Sequence, residues 1–278
     1  MLYVKLSLDI SDVYHETLIL ELMEMDFDGF EQLENQLIAY IPQPRFHDVS
    51  REQLEQMVQL FPEISSWELS EVPEENWNAA WEQTLEPQVI GPFLVKPTWA
   101  DYPYDSSQIL IEIDPKMSFG TGYHATTRLV LEELPQLNLH GKRILDAGTG
   151  TGILAIAAVK LGAASAVGFD IDPWCERNAL ENRAINGVEE RVNICLGGIE
   201  TIPPDSDFDL MLANINRNVI LSLLEEFVSR IRQGGVIVVT GILITDRDTV
   251  VERAETCGLK LISERDKEEW TLLRFQRT

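Results

Sequence analysis

The chain has 278 residues, 45% hydrophobic and 8% aromatic, enough for one large or two medium domains with a real core. Lys and Arg number 22 against 46 Asp and Glu, a net charge of −24. Such a field repels a nucleic-acid backbone and draws in a basic protein, although a host with a salty cytoplasm would produce the same excess. No apolar run nears the ~18 residues of a membrane span, and Met1-Leu2-Tyr3-Val4-Lys5 is no basic-then-apolar leader, so a cytoplasmic protein is expected. Three cysteines (Cys175, Cys195, Cys257) and four scattered histidines (His15, His47, His124, His140) offer neither a disulfide framework nor a metal site.

Residues 1–72 read as a small α+β domain of ferredoxin-like order. Tyr3 to Leu8 alternates like a strand, and Ser11 is placed to cap an amphipathic helix running to Met25, with Val13, Leu18, Leu20 and Leu22 apolar. Gly29–Leu33 and Gln36–Ile41 form a hairpin turned at Glu34-Asn35, Ser50 to Leu60 a second helix, and Ser66 to Leu69 a closing strand. The β-α-β-β-α-β order is the split β-α-β pattern. This quarter holds 15 acidic residues against 3 basic ones, half the net charge, and no catalytic constellation; it reads as a recognition module. Residues 73–88 read as a linker helix with Trp77 and Trp81 on one face, packing onto a domain in preference to direct ligand contact.

From Val89 to the end, strands and helices alternate, the pattern of a parallel sheet covered on both faces. The helices expected are Pro173–Asn186, Val219–Ile231 and Asp246–Cys257. The strands are Ala164–Ile171, Val192–Leu196, Phe208–Asn214, Val236–Thr240, Lys260–Ser263 and Thr271–Phe275. Within this α/β domain, 89–278, four segments carry chemistry. In Asp114 to Thr127, glycines flank Thr121 and hydroxyls follow at a helix start, so Thr126 and Thr127 are either caps or ligand donors. Ile144 to Ala155 reads as a buried strand, a turn with Gly148, Gly150 and Gly152, and a helix; alternate glycines let a backbone pass close to a ligand. A dinucleotide fingerprint would need glycine at 153, which is Ile153. Asp170, 22 residues beyond Gly148, sits where a strand-end acid accepts from a ribose diol, while Asp172-Pro173 is the better helix cap. Asn214 ends an apolar strand, at the edge where open α/β sheets bind ligands.

The acid-x-G-x-G-x-G form, led by Asp146, resembles the cofactor loop of Rossmann-like S-adenosylmethionine methyltransferases. Together the segments resemble the PrmA family, which methylates protein eleven of the large ribosomal subunit. Phe119 to Thr127 matches its F-G-T-G-x-H-x-T-T loop and Asp146 to Ala158 its glycine turn and helix. Asp170 to Pro173 matches its D-I-D-P, and Glu268-Glu269-Trp270 its E-E-W. Asn214-Ile215-Asn216-Arg217 departs from an N-I-L-A run, and Lys116-Met117-Ser118 from a G-L-A type run. The resemblance implies S-adenosyl-L-methionine as cofactor and the ribosomal protein as partner; the charge, the missing apolar run and the scattered Cys and His argue against nucleic acid, membrane and metal. It puts cofactor contacts on Thr127, Gly148, Asp170 and Asn214, with Phe119, Thr121, Asp146, Gly150 and Gly152 around them. Asn214 would orient a lysine or α-amino nitrogen, and Glu269 or His124 are candidates to take its proton. Methylation of a different protein and a non-catalytic cofactor-binding module are the other readings.

Overall fold

The computed structural model describes residues 2–73, 84–105, 107–116 and 118–278. They fall into two compact units, Met1–Asn76 and Trp77–Thr278. Of the linker helix expected over 73–88, residues 74–83, with Trp77 and Trp81, lie outside the described residues. The described ends are not helical, since Pro73 closes a strand of the first unit and Gln88 opens one of the second, with a turn between at Thr84.

In the first unit, β1 (Leu2–Asp9) alternates buried and half-buried positions, so Val4, Leu6 and Leu8 face a core and their neighbours do not. Helix α1 (His15–Glu24), hairpin strands β2 (Gly29–Leu33) and β3 (Gln36–Pro42), helix α2 (Asp48–Leu60) and β4 (Ser66–Pro73) follow. The sheet is antiparallel in the order β2-β3-β1-β4. Leu18 and Leu22 of α1 and Leu54 and Met57 of α2 close one face of it. Ser11 does not cap α1. Its Oγ donates to the Asp12 carboxylate, residues Asp12–Tyr14 make a 3-10 turn, and α1 begins at His15. That side-chain bond, 3.1 Å between neighbouring residues, takes the Ser11 hydroxyl proton, and Ser11 makes no side-chain cap bond. Val13 and Leu20, expected on the apolar face, are 80% and 66% exposed.

In the second unit the expected alternation does not begin at Val89. Strands β5 (Gln88–Ile90), β6 (Phe93–Lys96) and β7 (Ile109–Glu112) form their own small sheet, β5 and β6 as a hairpin turned at Gly91, whose φ is +55°. Helix α3 (Ala125–Glu133) comes only after it. Then follow β8 (Arg143–Ala147), α4 (Ile153–Lys160), β9 (Ser165–Asp170), α5 (Pro173–Ile185), β10 (Val192–Leu196), β11 (Phe208–Asn214), α6 (Arg217–Arg230), β12 (Ile231–Leu243), α7 (Arg247–Thr256), β13 (Leu259–Lys267) and β14 (Trp270–Arg277).

Their sheet runs β10-β9-β8-β11-β12-β14-β13, parallel except for β14, which is antiparallel to both its neighbours. A hairpin turned at Glu268 therefore closes an otherwise parallel sheet. The central strands feed two cores by simple alternation: Leu210 and Leu212 point into one, Met211 and Ala213 into the other. That is why Ile144-Leu145 of β8 and Leu210–Ala213 of β11 are consecutive apolar residues. Their carboxyl ends, and the loops after them, emerge together at one edge.

Candidate functional site

Three turns meet at that edge. The first joins β8 to α4 through Gly148, Gly150 and Gly152, at φ +67°, +54° and +82°. Its amides are mostly taken by the protein: Gly148 N and Thr149 N donate to Phe169 O at 3.0 Å, and Thr151 N donates to Phe119 O at 2.9 Å. A Cβ on Gly148 would strike the Ile215 side chain, and one on Gly150 the Phe119 carbonyl. Glycine is thus needed here for left-handed backbone and for the close approach of two other loops, beyond the ligand approach expected from the sequence. The second turn carries Phe119, Gly120 and Thr121. Thr151 Oγ1 donates to Gly120 O at 2.6 Å, so the two glycine segments lie against each other.

Asp146, at the end of β8, is fully buried. Its Oδ2 accepts from Thr149 Oγ1 at 2.7 Å and from Ala155 N at 3.3 Å, an otherwise orphan amide in the first turn of α4. Its Oδ1 has no partner. Burial pushes the carboxyl up to about 6, against the two hydrogen bonds, and the charge of Asp170 adds to the rise. Asp170, at the end of β9, accepts from Gly150 N at 2.9 Å and from Asp172 N at 3.1 Å, one bond per carboxylate oxygen. It braces the glycine turn and keeps further lone pairs. Asp172 is the cap of α5, accepting from Trp174 N at 2.8 Å.

The third turn follows β11. Asn214 Nδ2 donates to Thr127 Oγ1 at 3.3 Å, which leaves Asn214 Oδ1 without a hydrogen bond among the described residues. Thr127 is wholly buried in the first turn of α3. Thr121 Oγ1 instead accepts from Tyr123 N at 3.3 Å, a local turn bond. Ile215, which sequence reasoning missed, is wedged between Gly148 and Gly241: its side chain lies over the first and its carbonyl on the second, whose φ is +83°. A glycine inside a strand marks close backbone approach, so Gly241 was the available signal. Asn216 caps α6 by accepting from Val219 N at 3.1 Å.

At the rim, the Phe119, His124 and Trp270 rings stack edge-to-face in series, with centroids 5.2 and 5.1 Å apart. His124 Nδ1 caps α3, accepting from Thr126 N at 3.3 Å. The lone pair a base would use is therefore engaged. Glu269 is exposed at the β13–β14 turn, where its backbone carbonyl accepts from Ile244 N at 2.9 Å. Among the described residues no group of three or more His, Cys, Asp or Glu is placed to hold a metal.

The uncommitted carboxylate and amide atoms here are acceptors, Asp146 Oδ1, the remaining Asp170 lone pairs and Asn214 Oδ1, while the Thr121 and Thr127 hydroxyls each keep a proton to donate. No Lys or Arg lies in either glycine turn. Such a set fits a ligand rich in donors and positive charge, such as a ribose diol joined to an ammonium and a sulfonium, and disfavours a phosphate. S-adenosyl-L-methionine has those groups, whereas a nicotinamide dinucleotide shares the ribose diol but carries a pyrophosphate and has neither ammonium nor sulfonium.

Relatives agree with that chemistry. The family model described as ribosomal protein L11 methyltransferase (PrmA) matches residues 7–278. A "Ribosomal protein L11 methyltransferase" of Porphyromonas gingivalis is 37% identical over 270 residues, covering 94% of this chain and 90% of that protein. One from Chlorobaculum tepidum is 35% identical over 276 residues, covering 96% and 94%. The crystal structure of a "ribosomal protein L11 methylase" from Lactobacillus delbrueckii subsp. bulgaricus superposes with a TM-score of 0.65 at 28% identity, covering 69% of this chain and 99% of that one. With the family matched across both units and the acceptor-lined edge in place, the chain belongs to the ribosomal protein L11 methyltransferase (PrmA) family.

Proposed function

We propose that the protein is an S-adenosyl-L-methionine-dependent N-methyltransferase acting on lysine side chains, and on an α-amino group, of the large-subunit ribosomal protein for which its relatives are named. The observation that carries this reading is Asn214: its amide is held by Thr127 with Oδ1 uncommitted, one turn from the Gly148 loop. S-adenosyl-L-methionine supplies an electrophilic methyl group on its own sulfonium, so the chain need only bind, orient and manage a proton. Asp170 accepts from the ribose diol, and the Gly148–Gly152 turn, with Asp146 beneath it, holds the remainder.

A lysine amine is protonated at neutral pH and attacks only after losing a proton. Asn214 Oδ1 accepts a hydrogen bond from the amine, aims its lone pair toward the methyl group and stabilises the positive charge that grows on nitrogen. His124 is unsuited to take the proton while its Nδ1 caps α3. Exposed Glu269 and water remain the acceptors for it. The N-terminal unit, with its acidic excess, recognises the protein substrate, and the reaction takes place in the cytoplasm. The test is to incubate the protein with methyl-labelled cofactor and the purified ribosomal protein and to map labelled residues by mass spectrometry. Labelled lysines and amino terminus are expected; label confined to other side-chain types, or none with the cofactor bound, overturns the reading.

A further inference from the structure

The first unit contains a feature that the chemistry of the sheet edge does not use. Between the two helices on its sheet lies a groove of about 450 Å³, lined by Glu21, Glu24 and Met25 on one side and by Gln53, Gln56, Met57, Leu60 and Phe61 on the other. The spacing explains it. Glu21, Glu24 and Met25 share one face of α1 and its end, and Gln53, Gln56, Met57 and Leu60 share one face of α2. Met57 is buried, Met25 and Phe61 are half-buried against the core, and Leu60 is 78% exposed at the open end.

We propose that this α1–α2 groove docks a lysine- and arginine-bearing segment of the protein substrate. The claim rests on the reading that this unit recognises the substrate, and adds which face does so. Charge complementarity selects the occupant. The lining has two carboxylates and no cation, and neither Glu21 nor Glu24 forms an ion pair among the described residues. Residues 1–72 have a net charge of −12. An acidic or neutral apolar partner would leave those carboxylates crowded and partly desolvated without a counter-charge. A long basic side chain solves both problems at once: its methylene stem lies on Met25, Met57 and Phe61 while its head reaches Glu21 or Glu24. Methionine adapts its shape to such stems, and the Gln53 and Gln56 amides can hold an extended backbone. The volume lies within the roughly 300–1,000 Å³ of ligand sites, which suits a few side chains. A second copy of the same chain is disfavoured, since it would bring the same acidic surface.

The experiment uses the full-length protein, the purified ribosomal protein as probe, and steady-state methyl transfer together with cofactor calorimetry. Glu21→Lys with Glu24→Lys should raise KM for the intact protein about tenfold and flatten its salt dependence, with kcat and cofactor affinity within twofold of wild type. Glu21→Gln with Glu24→Gln, and separately Leu60→Ser, should each raise KM about threefold; all these positions are exposed, and thermal unfolding checks that the fold survives. Unchanged KM in the groove variants, with a rise for Glu68→Lys and Glu71→Lys on β4, overturns the groove while leaving substrate recognition to this unit. Unchanged KM in both sets overturns both. A concentration-dependent dimer dispersed by Leu60→Ser also overturns the proposal, since the face would then be a contact between copies.

Discussion

At the scale of single residues, the site is organised by acceptors with spare capacity. Asp170→Ala removes the partner of Gly150 N as well as the acceptor for a diol, so cofactor affinity should fall by about 1–3 kcal/mol. Calorimetry that finds wild-type affinity would leave Asp170 as a brace for the turn alone. Asn214→Ala should lower kcat about a hundredfold, the scale seen for loss of one preorganised polar group, with little shift in thermal unfolding because a half-buried strand-end amide packs little. Survival of activity within threefold would remove the amine-orienting role. Asp146 gives a pH signature. Its carboxyl titrates at about 6 in the folded chain against 3.8 for the unperturbed group. The folded state thus binds that proton more tightly, and the stability it contributes is complete below about pH 4 and lost as pH rises through 6. Two pKa units correspond to about 3 kcal/mol. Wild type should lose roughly that much between pH 4 and pH 7 relative to Asp146→Asn, as followed by chemical denaturation at each pH. Equal slopes in the two proteins would show that Asp146 does not titrate there.

At the scale of elements, the edge works because turns after different strands interlock. Ile215, following β11, is held between the turn after β8 and the interior of β12, and Phe119 O sits on Gly150. Gly241→Ala would force a side chain into left-handed backbone and against the Ile215 carbonyl. It should destabilise the second unit by about 2–4 kcal/mol and weaken cofactor binding with it. A protein that unfolds at the wild-type temperature would show that β12 can shift away from Ile215. The closing hairpin is tied to α3 by buried Glu133, which accepts from Arg274 at 2.6 Å and pairs with Arg265 at 2.9 Å. That tie places Trp270 beside His124. Arg217, one of the two departures in the Asn214–Arg217 run, reaches Asp246 at 2.6 Å and so joins the start of α6 to the turn that leads into α7.

At the scale of the molecule, each unit has a core of its own, one built from Leu6, Leu18, Leu22 and Leu54, the others around the large sheet. A fragment spanning 77–278 should therefore fold and bind cofactor with the affinity of the full chain. We expect its methylation of the intact ribosomal protein to collapse, because the surface proposed to hold that protein is gone. Equal substrate KM for fragment and full chain would assign recognition to the large unit. The net charge of −24 should also make wild-type KM for a basic substrate rise with salt as exposed charges are screened. No described helix is long and apolar enough to cross a membrane.

Local sequence was sufficient where one short stretch determines the outcome. Apolar runs named the central strands, Asp172-Pro173 named a cap, and Asp146, Gly148, Gly150 and Gly152 named a loop, since burial on both faces and left-handed backbone restrict the residues allowed. It misled where neighbours compete: Ser11 turned to Asp12 instead of capping α1, and the stretch from Val89 built a small sheet before any helix. What only tertiary structure decided is which distant residues complete one another. Thr127 turns the amide of Asn214, 87 positions away, Asp170 braces Gly150, and Ile215 requires glycine at both 148 and 241. A hydrogen bond or a steric limit between separate strands leaves no periodic trace in either stretch, so it becomes legible only when the sheet sets their ends side by side.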